Sequence, residues 1–347
     1  MQALCPYVKV EYGDTDVTAQ IEPYLTSLTY TDSIDGKEAD KLTVALEDSQ
    51  RTFQGALYPI KGSALYFEFG NDKDHAFKSG KGYRIDTISV AGAADTGDVV
   101  TWVASANIPS GAIHTRWCKA WADGTLEAIA RTIAGKHDLD VVYDLDETVD
   151  LPRLDQVEAS DLEFLQATAR RYGLSCSVKA GKNGRGVLVV NEPVFRLAKP
   201  TVFTVTRRDC LDFSFDDCAA HNTNGCYVRW FDPKKKKVVK VLTSKDKSQV
   251  RDGLKKAMVP TLDGQGHQDR AVIRQALESY AAKPSNDERS AKLTLPGTPC
   301  LIAGVVVELP KDEWLANAGN WTVAASEHAI TRDGGYKTTA TLKRPQK

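Results

Sequence analysis

Between Lys41 and Gly92 one pattern recurs: apolar and polar residues alternate, break at a turn, and alternate again. Leu42, Val44 and Leu46 alternate with Thr43, Ala45 and Glu47, the period of a half-buried strand. Tyr58-Pro59 and Lys61-Gly62 then predict a turn, because Pro59 fixes its φ and lacks a donor while Gly62 tolerates a positive φ. A second strand, Ala64 to Phe69, is rich in aromatic residues. Asn71 to Gly80 reads as a polar hairpin loop, and Tyr83 to Val90 as a third strand. Strands joined by short polar turns predict an antiparallel meander that closes as a barrel or a sandwich.

The 347 residues suffice for two or three domains. A formal net charge of −1 gives no overall basic field for nucleic acid. No apolar run approaches the ~20 residues needed to span a bilayer, so no membrane anchor is expected. The N-terminal MQALCPYVKVEYG lacks a charged region followed by an apolar run, so no secretory leader is expected either. Seven cysteines without C-x-x-C spacing read as reduced thiols rather than a disulfide framework.

Tyr7 to Tyr12 predicts a strand, Thr29 to Asp40 a polar connection, and Asp98 to Ala106 another strand, so an all-β domain is expected over 1–110. The composition then changes. Leu126, Ile129, Ala130 and Ile133 have helical spacing in Thr125 to Lys136, with Asp123 or Thr125 as the cap. Leu139 to Tyr143 is a short strand. Ser160 and Glu163 form a capping box for a helix over Asp161 to Tyr172, with Gly173 as its C′ residue. Ser175 to Lys179 and Gly186 to Asn191 predict a hairpin, completing a small α+β domain. In the third region Leu211, Phe213 and Phe215 alternate as a strand, with Cys226 to Phe231 as its expected partner. Residues 232–262 are lysine-rich, and His267 to Ala282 reads as a helix stopped by Pro284. Ser290 to Leu295 and Gly304 to Glu308 are strands, and Trp321 to Thr331 with Tyr336 to Arg344 closes a hairpin around Asp333-Gly334-Gly335. No repeat of 20–50 residues is visible, although the two β regions are of comparable size and are candidates for distant copies of one fold.

No G-x-S-x-G elbow occurs, and His114, His137, His221, His267 and His328 each lack a neighbouring pattern that assigns a role, so each reads as a loop or surface histidine. Cys210, Cys218, His221 and Cys226 lie close in sequence, but only Cys218-x-x-His221 has the spacing of paired zinc ligands, and unpaired structural cysteines are the preferred reading. Asp144, Asp146, Glu147 and Asp150 form an acidic run. A glycosidase needs two carboxylates about 5–10 Å apart across a cleft, which acids in one loop do not provide. Lys234 to Lys237 with Lys240, Lys245, Lys247, Lys255 and Lys256 make a basic stretch. It lacks the interleaved aromatics of base stacking, so specific nucleic-acid binding is not expected. No phosphate-binding glycine motif appears, and GKNGRG at 181–186 reads as a turn. Catalytic, cofactor-binding and metal sites are therefore all expected to be none.

The order of D-K-L-T-V-A-L-E-D at 40–48, Y-P-I-K-G-S-A-L at 58–65 and G-Y-R-I-D-T-I-S at 82–89 resembles the phage late control gene D family, the central hubs of contractile-tail baseplates. That family is similar in turn to the hub portion of VgrG-type spike proteins. The resemblance continues through Val17 to Tyr30, Trp121 with Thr125 to Ala130, Ser160 to Leu165, the D-F-S-F-D strand, C-Y-V-R-W-F, and G-x-P-x-L-x-A-G-x-V-V-x-L followed by Trp321 to Lys343. It implies a mainly β chain with α+β content. Two tail-tube-like antiparallel β-barrels occupy 1–110 and 200–231 with 288–347, a middle α+β domain 111–199, and a lysine-rich helical insertion 232–287. It implies a virion structural protein of the tail baseplate, of a phage or a phage-derived bacteriocin, assembled in the host cytoplasm. A homotrimer would adapt the sixfold tail tube to the threefold spike, with tube, spike, other baseplate proteins and the tape measure protein as partners. The closing hairpin ends near Lys347, so the spike is expected on a separate chain. The alternatives are a tail-tip peptidoglycan hydrolase and a carbohydrate-binding module, the latter raised by Trp117, Trp121, Trp314 and Trp321, whose other reading is packing.

Overall fold

A computed structural model describes residues 6–34, 40–93, 97–106, 112–122, 124–145, 149–151, 154–172, 174–181, 183–191, 202–217, 227–232, 237–242 and 289–344. Its first part runs β1 (Tyr7–Tyr12), β2 (Thr15–Asp16), α1 (Thr18–Ile21), β3 (Leu25–Ser33), β4 (Lys41–Glu47), β5 (Ala64–Gly70), β6 (Phe77–Lys78), β7 (Tyr83–Ala93) and β8 (Gly97–Ala106). The alternation in β4 is realised: Leu42, Val44 and Leu46 are fully buried. They join Leu28, Phe67, Phe69, Ile85 and Trp102 in one core. Full burial of each such side chain stabilises the fold by about 1.5–3 kcal/mol.

The middle part runs β9 (Trp117–Trp121), β10 (Gly124–Thr125), α2 (Leu126–Lys136), β11 (Asp140–Asp144), β12 (Asp150–Leu151), β13 (Leu154–Ala159), α3 (Asp161–Arg171), β14 (Ser175–Ala180) and β15 (Gly186–Asn191). Both helices start as their sequences predict. Thr125 Oγ1 accepts from Ala128 N at 3.1 Å. Ser160 and Glu163 exchange two bonds, of 3.2 and 3.0 Å. Such caps are worth about 1 kcal/mol each. Leu126, Ile129, Ile133 and Leu165 pack with Leu188 and Val190 into a second core. β14 and β15 pair as the expected hairpin, and β11 adds to β15 in parallel. The β9–β13 pair has no forecast in the sequence, because Trp117 to Trp121 and Leu154 to Ala159 alternate too weakly.

The last part runs β16 (Val202–Thr204), β17 (Asp212–Asp217), β18 (Tyr227–Asp232), β19 (Lys237–Leu242), β20 (Arg289–Pro296), β21 (Val306–Leu309), α4 (Lys311–Trp314), β22 (Gly319–Thr331) and β23 (Gly335–Lys343). Leu293, Leu295, Val307, Trp321, Val323 and Leu342 form the third core.

Four expectations need correction. The strands of the first part do not pair in sequence order, because β4 lies beside β8 and β5 meets β7 only at its start. Thr29 to Ser33 is strand rather than connection, since β3 is held on both sides, by β4 and β22. Phe77–Lys78, inside the expected hairpin loop, pairs with β5. The Cys226 to Phe231 strand exists as β18 but pairs with β19, within the lysine-rich stretch, while β17 pairs with β20. The expected helix at 267–282 and the Gly173 cap lie outside the described residues.

Two runs of strands share one order: β3-β4-β8-β7-β5 and β17-β20-β23-β22-β21. Their ladders also agree residue by residue. Thr29–Thr43–Val103–Thr87 follow one another across the first run, and Ser214–Lys292–Thr341–Ala325 across the second. In each run the strand carrying the last-named residue has one bulged residue just before it, Asp86 in β7 and Ala324 in β22. Arg84 then meets Ala64 as Thr322 meets Val306. The agreement extends the sequence observation of two similar β regions into a duplicated topology. The runs differ outside it: β1 joins β5 antiparallel, whereas β16 joins β21 parallel.

Candidate functional site

The surfaces that organise this chain are seams between strand sets. In the first seam β22 pairs antiparallel with β3, from Ala325 opposite Ser33 to Thr331 opposite Ser27. It fuses the two runs into a single 14-stranded sheet. His328 is fully buried there, with its Nδ1 2.9 Å from the Tyr336 hydroxyl and 3.2 Å from Thr338 Oγ1. Burial pushes its pKa down to about 4, against the opposing pull of the Asp32 charge.

Beside the seam sits an ionic clasp. Lys179 Nζ on β14 donates to Asp32 Oδ1 at 2.7 Å, Asp40 Oδ1 at 2.6 Å and the Ser33 carbonyl at 3.0 Å. Asp32 Oδ2 accepts from Ala303 N at 3.1 Å, so one carboxylate ties the middle part and the last part to β3. Two acids share one lysine. Burial first, and the neighbouring Asp32 charge second, push Asp40 up to about 7. The Lys179 ammonium is held above its ordinary range: burial lowers it, and the two carboxylates outweigh that.

A second carboxylate organises the middle part. Asp161 is fully buried and accepts from Trp117 Nε1 at 2.7 Å, Gln156 Nε2 at 3.0 Å and Lys136 Nζ at 2.9 Å, with His137 Nε2 at 2.7 Å. Burial alone would raise its pKa. The donors outweigh burial, led by His137, and hold it at about 2. The geometry is that of a structural hub, with every oxygen committed.

The residues singled out from sequence fall as follows. His137 and His328 are buried and bonded rather than at the surface, because each lies where a helix end or a strand seam meets a polar partner. His114 is exposed. Cys210 is half-buried and donates weakly to the Thr206 carbonyl, and burial pushes its thiol up to about 11. Cys218, His221, Cys226 and His267 lie outside the described residues, as do Asp146, Glu147, Lys234 to Lys236 and Lys245, Lys247, Lys255 and Lys256. Asp144 and Asp150 stand on separate strands, paired with Asn191 and Thr125. Lys237 and Lys240 stand on β19. Among the described residues no group of His, Cys, Asp and Glu is arranged to hold a metal ion.

Trp117, Trp121, Trp314 and Trp321 are packing residues. Trp121 stacks on Phe164 and donates to Gln156 at 3.1 Å, Trp314 donates to the Val205 carbonyl at 3.0 Å, and Trp321 donates to the Asn317 carbonyl at 2.9 Å. Trp117 is covered by Lys136, whose Nζ stands 3.5 Å from the ring centroid. No helix among the described residues is long and apolar enough to cross a membrane.

Two strand edges remain unpaired among the described residues. β17 pairs only with β20. β7 pairs with β5 at Tyr83 and Arg84 alone, so from Thr87 to Ala93 it has β8 on one side and no strand on the other. The sequence gives no sign of this, because the alternation of β7 looks like that of any half-buried strand.

Two proteins are similar to this chain in sequence. The chain is 29% identical over 258 residues to the probable baseplate hub protein of Escherichia phage 186, covering 71% of this chain and 62% of that protein. It is 32% identical over 212 residues to the probable baseplate hub protein of Escherichia phage P2, covering 59% of this chain and 51% of that one. It thus spans less than two thirds of the length of either. The fold matches a 43 kDa tail protein of prophage MuSo2 from Shewanella oneidensis, with a TM-score of 0.67 at 12% identity over 98% of each chain. It also matches the Escherichia coli c3393 protein, a type VI secretion component described as structurally similar to the T4 tail proteins gp27 and gp5. That match has a TM-score of 0.61 at 9% identity and covers 98% of this chain and 77% of that one. No protein-family model matches the chain.

Proposed function

We propose that this chain, a homologue of the phage baseplate hub proteins, is the structural hub of a contractile tail of a phage or a phage-derived bacteriocin. It works as a homotrimer that adapts a sixfold tail tube to a threefold spike. The observation that carries this reading is the duplicated strand order within one chain, joined edge to edge at β22–β3. Three copies of a chain with two alike strand sets present six alike units to the tube and only three chains to the spike. In this reading 1–110 and 200–231 with 288–347 are tube-like barrels, 111–199 is the domain between them, and 232–287 is an insertion. The partners are the tail tube, the spike on its own chain, other baseplate proteins and the tape measure protein, met in the host cytoplasm during assembly.

The hub acts by shape and strand pairing, without catalysis. The committed hydrogen bonds of Asp161 and the buried tryptophans favour it over a wall hydrolase or a carbohydrate-binding module. Light scattering of the chain alone and co-purified with its spike tests it, with three chains per spike trimer as the expected result. A single chain in both samples sinks the hub reading. Wall lysis in a turbidity assay, abolished by Asp144→Ala or Asp150→Ala, sinks the non-enzymatic reading.

A further inference from the structure

The duplicated topology makes the seam within the chain a template. β22 uses the first half of its length to pair with β21 and the second half to pair with β3. Its counterpart β7 uses its first residues to pair with β5, and among the described residues its second half has no strand on that side. The counterpart of β3 is β17, whose outer edge is also open among the described residues. One strand of each kind is therefore satisfied inside the chain, and one of each kind is left over among the described residues: β17 at one end of the sheet, and β7 beyond its short pairing with β5.

The exposure pattern agrees. In the paired half of β22, Ser326, His328 and Ile330 are buried at 3%, 0% and 4%. The matching positions in β7 are Ile88, Val90 and Gly92, and Val90 is 47% exposed. An apolar residue stands in water where its structural twin is sealed by a strand. Exposed edges of this kind recruit another chain unless they are covered.

We infer that β7 of one copy pairs antiparallel with β17 of the next copy of this chain, in the register of the β22–β3 seam. Transferring that register sets Ser89 opposite Asp216, Val90 opposite Phe215 and Ala91 opposite Ser214, as Glu327, His328 and Ala329 stand opposite Thr31, Tyr30 and Thr29. The contact is head to tail, so each copy offers one edge of each kind and the copies close into a ring. This inference rests on the hub reading for the number of copies in that ring, but not for the seam itself.

Two single-cysteine chains test it, Ser89→Cys and Asp216→Cys, each in a background whose seven native cysteines, the exposed Cys118 and Cys300 included, are replaced by serine or alanine, mixed and oxidised at concentrations where the protein associates. A disulfide between the two variants is expected in the mixture and in neither variant alone, because the pairing is heterologous. The register control, Ser89→Cys with Ser214→Cys, is expected to cross-link at least tenfold more slowly. Val90→Lys, at a position already open to water in the single chain, should fold normally by circular dichroism and lose association at least tenfold. Cross-linking within one variant, equal cross-linking in the slipped register, undiminished association of Val90→Lys, or a chain that never associates overturns the seam. Trimers that form without the expected cross-link overturn the seam and leave the hub reading standing. Cross-linked open filaments uphold the seam and overturn the trimeric hub.

Discussion

His328 on β22 stands directly opposite Tyr30 on β3, and the two rings stack with centroids 6.1 Å apart across the seam that joins the halves of the sheet. The pair sits in an aromatic group in which Phe69 lies 5.1 Å from the histidine ring and Phe77 4.9 Å from the tyrosine ring. An imidazolium there has little water to solvate it, which is why its pKa falls to about 4. The folded seam therefore requires neutral histidine.

His328 and Asp40 respond to acid in opposite directions. An unfolded histidine titrates near 6.5, and the folded one near 4. Between those values the unfolded chain takes up a proton that the folded chain refuses, so stability falls as pH drops through this window, by at most about 3 kcal/mol. Asp40 works in the opposite direction. Burial and then Asp32 raise it to about 7, so below that pH the folded chain holds a proton that an unfolded aspartate releases until about 4. That uptake adds stability as pH falls. His328→Gln should therefore lose less melting temperature than the parent between pH 7 and pH 4.5, and Asp40→Asn should lose more. Equal slopes for all three proteins in calorimetry would dispose of both assignments.

Lys179→Met tests the clasp. It leaves Asp32 and Asp40, 8% and 5% exposed, facing one another without their shared cation. Removing one partner of a buried ion pair costs about 3–5 kcal/mol. The 30% exposure of the lysine side chain places the expected loss at the lower end. Adding Asp40→Asn to Lys179→Met should restore part of it, by removing one of the unpaired charges. Urea denaturation of the two single variants and the double variant measures the coupling, and strict additivity would mean the clasp is electrostatically inert.

The clasp and the seam mark the limit of what the sequence discloses. Helices α2 and α3 were legible because their signals are local: Thr125 caps, Ser160 and Glu163 box, and the apolar spacing fixes the buried face. The strand pairing was not, since alternation in Leu42 to Leu46 names a buried face and leaves open which strand lies alongside. Lys179 and Asp32 are 147 residues apart, and nothing near either announces the other. His328 read as a surface residue because its partners Tyr30 and Tyr336 reach it through the register of β3 and β23. The sequence offered two β regions of comparable size as candidate copies of one fold, but their equivalence lives in the order of strands, where Thr29 and Ser214 are equivalent without being alike.

Asp161→Asn probes the middle part. An asparagine keeps the shape but has one acceptor oxygen where the carboxylate has two, and its amide meets donors on one side. Hydrogen bonds to a charged group are worth about 1.5–3 kcal/mol each, and a loss of about 2–4 kcal/mol is expected. The wild-type carboxylate, held near 2 in the fold, contributes stability that is present above about pH 4 and lost as pH falls towards 2. The variant should lack that acid limb. Fluorescence of the tryptophans, with Trp117 bonded directly to the site, reports the transition, and an unchanged acid limb would show that another group carries it.

The last prediction tests packing at the turn beneath the seam. Gly297 N donates to the Tyr336 carbonyl at 2.9 Å, and the Gly297 carbonyl accepts from Asn71 Nδ2 at 2.7 Å, so this glycine is fixed from both sides. A Cβ at Gly297 would land on the ring carbons of Tyr336. That ring has little freedom to withdraw, because it packs edge-on against Phe69 at 5.9 Å and its hydroxyl meets His328. Gly297→Ala therefore overpacks the site, and the expected loss is about 1–3 kcal/mol, despite the gain in helix or strand propensity that alanine normally brings. Tyr336→Leu alone should also destabilise, by removing the ring and its hydrogen bond. In the double variant the clash is gone, so the combined loss should be smaller than the sum of the two single losses by about 1 kcal/mol or more. Guanidinium unfolding of the four proteins gives that difference, and additive losses would place the tyrosine ring elsewhere than over the glycine.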